Sequence, residues 1–111
     1  FRDTLFTAYN GRCAISGCAV ADVLEAAHIV PYRGPATNVA ENGLLLRADL
    51  HTLFDCGLIA VDPDKLTVVI SSSLQKSGYR KLDGRALRLP TVPGSGPSRK
   101  ALESHHLQLR P

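Results

Sequence analysis

Apolar residues recur at helical spacing at the start of the chain, where Leu5, Phe6 and Tyr9 fall within residues 2 to 10. Asn10-Gly11 supplies a natural stop, so a first helix is predicted there. The pattern then shortens. Arg12–Ser16 and Val23–Ile29 read as two short strands joined through residues 17–22, which predicts an antiparallel hairpin with His28 near its end. Pro31 and Gly34-Pro35 interrupt regular structure, so residues 31–41 should form a loop leading to Asn42. Asp49 is placed as the N-cap of a helix running to about Cys56 and closed by Gly57. Beyond it, Leu58–Val61 and Leu66–Ile70 flank the turn residues Asp62-Pro63-Asp64 and predict a second hairpin with a structural role. Residues 71–96 carry Ser, Gly and Pro clusters around Arg85–Pro90, expected as an extended arm. Pro97-Ser98 then opens a final helix containing Leu102, His105 and His106. The sum is an α+β domain over residues 1–111, with a hairpin-plus-helix core at about residues 12–57. An N-terminal helix, a second hairpin and a C-terminal helix are added to that core.

Composition narrows the class. A membrane span needs about 20 consecutive apolar residues, and the apolar runs here, such as Leu44–Leu46, are only a few residues long. The opening Phe1-Arg2-Asp3 lacks the pattern of a secretory signal, so a cytoplasmic location is expected. The first residue is not Met, which reads as part of a longer protein. Three cysteines cannot all pair within the chain, and Cys13, Cys18 and Cys56 do not form the two CxxC-like pairs of a four-cysteine zinc site. Reduced thiols without a structural zinc are therefore expected. The net charge of +3 is modest, but it is unevenly spread. Residues 1–75 hold five basic and eight acidic side chains, whereas residues 76–111 hold eight basic and two acidic. That basic C-terminal extension, about residues 76–111, is suited to attracting phosphates.

The chemistry concentrates in His28, Asn42 and His51, separated by 14 and 9 residues, with Asp55 four residues after His51 on the same helix face. The surrounding stretches are Arg12-Cys13-Ala14-Ile15-Ser16-Gly17, Glu25-Ala26-Ala27-His28-Ile29, and Asn42 through Asp55 in Asn42-Gly43-Leu44-Leu45-Leu46-Arg47-Ala48-Asp49-Leu50-His51-Thr52-Leu53-Phe54-Asp55. Over roughly residues 1–90 they resemble the HNH domains at the C-terminus of bacterial restriction-type endonucleases. The resemblance implies a ββα-metal core and a divalent-metal-dependent DNA endonuclease. In that reading His28 is the general base, Asn42 orients the His28 loop through hydrogen bonds that fix the imidazole, and His51 with Asp55 holds one divalent ion. The ion would be Mg, Mn or another transition metal. Many members place Asp or His just before the strand histidine as a further ligand. This chain has Ala27 there, and Glu25 on the same strand face is the candidate substitute.

Arg33, Arg47, Arg99 and Lys100 are candidate phosphate contacts. His105 and His106 are adjacent, hence pointing different ways on a helix, and are expected to be structural or solvent-facing. Expected partners are DNA, an upstream DNA-reading domain in the same polypeptide, and a second copy in a homodimer. Competing readings are a catalytically degenerate HNH scaffold that only binds DNA, a toxin nuclease, and a small zinc-stabilised interaction domain. Metal-dependent nicking separates the nuclease from the degenerate scaffold; tightly held stoichiometric zinc would favour the last.

Overall fold

The computed structural model describes residues 1–111. Helix α1, Arg2–Ala8, turns Leu5 and Ala8 inward and ends at Asn10 and Gly11, both with positive φ. Strand β1, Leu24–His28, pairs antiparallel with strand β2, Gly43–Arg47, in a register that sets Leu24 against Arg47 and His28 against Gly43. Helix α2 follows at once as Ala48–Asp55. Strands β3, Ile59–Val61, and β4, Val68–Ile70, form a separate antiparallel pair, and helix α3, Arg99–His106, closes the chain.

The second hairpin and the two terminal helices agree with the sequence pattern. The first hairpin does not. Residues 12–16 make no strand: the amide of Gly17 donates to the Cys13 carbonyl at 2.9 Å, curling the segment into a turn. The Cys13 thiol accepts the backbone N–H groups of Ser16 and Arg47 at 3.3 Å each, and the Ala14 amide donates to the Leu45 carbonyl. This turn lies on β2 and leaves the pairing of β1 to Gly43–Arg47. The deciding term is burial. Leu44, Leu45 and Leu46 are all fully buried, because α1 and α2 both pack on the hairpin. An apolar run covered on both faces loses the alternation that marks a one-sided strand.

Asp49 is not the N-cap of α2, whose cap position is Arg47 with no side-chain cap bond. Arg47 reaches past it instead and donates to both Asp49 carboxylate oxygens, at 2.6 and 3.0 Å. Gly57 does close the helix, at φ 72° with its amide on the Phe54 carbonyl. The Arg85–Pro90 arm is tied along the edge of β4 through a bridge between Thr67 and Ala86, then donates from Arg88 to Ala14 and from Thr91 to Ala8. It straps the second hairpin to α1. No helix is long and apolar enough to cross a membrane.

The core joins α1, the hairpin and α2 through Leu5, Ile15, Leu50 and Phe54, all fully buried. At about 25 cal/mol per Å² of apolar surface removed from water, each such side chain stabilises the fold by roughly 1.5–3 kcal/mol. Gly43 shows how tightly α1 approaches: a Cβ there would stand 2.7 Å from Leu5 Cδ1 and 2.8 Å from Phe1 Cζ. Since Gly43 is the register partner of His28, this close approach also brings Phe1 against the histidine.

Candidate active site

A cleft of about 360 Å³ opens beside the first hairpin. Ala26 and His28 reach it from β1, Tyr32 from the following loop, His51 and Asp55 from α2, and His105 from α3. Two features bring the histidines together. His28 is the last residue of β1, and α2 begins directly after β2, so the antiparallel pairing folds the helix back beside the strand.

The His28 ring is held on three sides. It stacks on Phe1 with centroids 4.3 Å apart and planes within 9°, and Tyr32 meets it edge-on at 5.8 Å. Its Nε2–H donates to Asn38 Oδ1 at 2.8 Å, which leaves Nδ1 with the lone pair. Nothing in the sequence singles out Asn38. It lies ten residues along an irregular loop, and no spacing connects it with His28.

Asn42 is buried and bonds backbone. Its Oδ1 accepts from the Val30 amide at 2.9 Å, and its Nδ2 donates to the Val30 and Thr37 carbonyls at 3.1 Å each. It therefore clamps both ends of the loop that follows His28. The expected bond to the imidazole is instead made by Asn38.

His51 stands between two carboxylates. Nδ1 is 2.8 Å from Glu25 Oε1, and Nε2 is 3.2 Å from Asp55 Oδ2. The two ring nitrogens point in divergent directions, so Glu25 and Asp55 cannot reach one ion together with the same imidazole. Consistent with that, no group of three His, Cys, Asp or Glu side chains converges as a ready-made metal cage. The pair His51 and Asp55 does fit an ion. Two donors about 2.1 Å from a metal and at right angles stand about 3 Å apart. Ala27 is fully buried, so the place of a further ligand in the resemblance is occupied here by core packing.

The candidate phosphate contacts fall into two groups. Arg33 and Lys100 are exposed and make no ion pair. Arg47 is bound to Asp49, which also accepts from the Tyr79 hydroxyl at 2.8 Å. The Arg47 guanidinium, with help from Tyr79 and the Leu50 amide, holds the Asp49 carboxyl down at about 2. Arg99 is shared between Asp64 and Glu103. Both arginines are therefore committed within the fold.

His105 is structural. Its ring stacks on Phe54 with centroids 3.6 Å apart, Nε2–H donates to the Phe54 carbonyl at 2.8 Å, and burial pushes its pKa down. All three cysteines are free.

Residues 13–62 match the family described as HNH endonuclease. Among solved structures the chain is similar to one titled "Modification dependent TagI restriction endonuclease", with a TM-score of 0.67 and 25% sequence identity. The match covers 97% of this chain and 36% of that one. A comparison with curated proteins found no match.

Proposed function

We propose, because this chain carries an HNH endonuclease domain of the restriction-enzyme type, that it hydrolyses phosphodiester bonds in DNA with one divalent metal ion, as the cleavage domain of a bacterial restriction or defence enzyme. The observation that carries this reading is the shared cleft. His28 enters it from a strand end, and His51 with Asp55 enters from the facing helix.

The geometry supports the following roles. His28 is the general base: its Nε2–H is committed to Asn38, so Nδ1 is free to take the proton of an attacking water. Phe1 and Tyr32 limit rotation of that ring. Asn42 fixes the backbone of the loop that carries Tyr32 and Asn38, and so acts on the base through the loop. His51 Nε2 and Asp55 would hold the ion, with water and phosphate oxygens completing its shell, a coordination that suits Mg and Mn. When bound, the ion supplies charge neutralisation on the phosphate and stabilises the leaving oxygen.

The chain spans 36% of the length of the restriction enzyme that it matches. Choice of DNA sequence or modification then belongs to a reader elsewhere in the polypeptide. Incubating the domain with supercoiled plasmid in Mg or Mn, and again with a chelator, tests the assignment. Metal-dependent nicking or linearisation is expected. DNA binding without cleavage in either metal would instead establish a degenerate scaffold.

A further inference from the structure

We infer that Glu25 is a positioning residue for the metal site, acting through the far nitrogen of His51 and not as a ligand; this rests on the metal reading of His51 and Asp55 given above. An imidazole can serve a metal with only the nitrogen that carries a lone pair. In the neutral ring the other nitrogen keeps its proton, and whichever group accepts that proton decides which nitrogen is left for the metal.

Glu25 is that acceptor. Its Oε1 lies 2.8 Å from His51 Nδ1, and it arrives from β1, 26 residues away in sequence and on a different element from the helix that carries the histidine. Asp55 lies on the opposite side of the ring, 3.2 Å from Nε2, one helical turn further along α2. The arrangement is directional: a carboxylate receives Nδ1–H, and Nε2 is turned toward the second carboxylate. Glu25 also ties the helix histidine to the strand that ends in His28, so one strand carries both the base and the group that orients the metal-binding ring. A carboxylate in this role also raises the basicity of the ring as a ligand. Glu25 is exposed and lies outside the buried core, so its role can be tested without disturbing the fold.

The test is made on metal-free protein first. Long-range nitrogen–proton NMR on the histidine rings, at about pH 9 so that each ring holds one proton, should show His51 as the Nδ1–H form in the wild type and in Glu25→Gln, whose amide oxygen still accepts. Glu25→Ala should lose that preference. Mn titration followed by calorimetry should then show a loss of affinity of about 10- to 100-fold in Glu25→Ala, and a smaller loss in Glu25→Gln. Wild-type His51 found as the Nε2–H form overturns the inference. So does a Glu25→Ala protein that keeps the wild-type ring form while losing Mn affinity, the behaviour of a direct ligand. A His51→Ala protein that binds Mn as tightly as the wild type overturns instead the metal reading, and with it the link from ring form to affinity.

Discussion

Asn42 and Val30 hold each other from both sides: the Asn42 carbonyl oxygen accepts from the Val30 amide at 2.9 Å, and the Asn42 amide donates to the Val30 carbonyl at 3.1 Å. A side chain thus takes the part of a paired strand two residues beyond His28, where Pro31 prevents the real strand from continuing. Asn42→Ala would strand the Val30 N–H and two carbonyls, at a cost of about 2–4 kcal/mol. The expected result is a lower urea midpoint together with cleavage reduced far more than DNA affinity. A variant with wild-type midpoint and wild-type rate would refute the clamp.

His28→Ala should leave the fold and Mn affinity nearly intact while cleavage falls by about 10²- to 10⁴-fold, the usual worth of a general base. Asn38→Ala should fall between this variant and the wild type, since the ring keeps its stacking on Phe1 but loses the partner that fixes its proton. Single-turnover plasmid cleavage measures both. Equal rates for Asn38→Ala and the wild type would free the ring from any need of that bond.

His51→Ala should weaken Mn binding and cleavage together, because Asp55 would remain as the lone helix ligand. Calorimetry giving unchanged affinity would place the ion elsewhere.

DNA affinity should depend on exposed cations that have no carboxylate partner. Arg99 is neutralised by Asp64 and Glu103, so replacing it should change the salt dependence little. Arg80, Lys81 and Arg88 are exposed and without ion pairs. Changing these three to Gln should weaken binding to any sequence and flatten the slope of log affinity on log salt, by up to about 0.9 for each phosphate that is no longer neutralised. An unchanged slope would move the DNA away from this arm.

His105 predicts a pH effect on stability. Burial holds its imidazole below the ordinary histidine value, so the unfolded chain takes up this proton before the folded one does. Stability should therefore fall as pH drops below about 6.5. The loss ends once the folded ring also protonates, and nothing is lost above that window. Urea midpoints of His105→Phe should decline less between about pH 7 and pH 5 than those of the wild type; equal declines would assign the effect to other groups.

Much of this was legible from the chain alone. The spacing of His28, Asn42, His51 and Asp55, the terminal helices, and the turn at Asp62-Pro63-Asp64 are local properties, set by side-chain period, capping and backbone preference. The register of His51 and Asp55 on one face follows from helix geometry, whatever surrounds it. Tertiary structure decided what local pattern leaves undetermined. Arg12–Ser16 and Leu44–Leu46 both read as apolar segments, and only packing between α1 and α2 made the leucines the partner of β1. Asn38 meets His28 because the loop closes, Glu25 meets His51 because a strand lies beside a helix, and Asp49 captures Arg47 where a cap was expected. Those contacts join residues through space at separations that follow no sequence period. They exist only because burying the leucines of β2 fixes how the strand, loop and helix lie together.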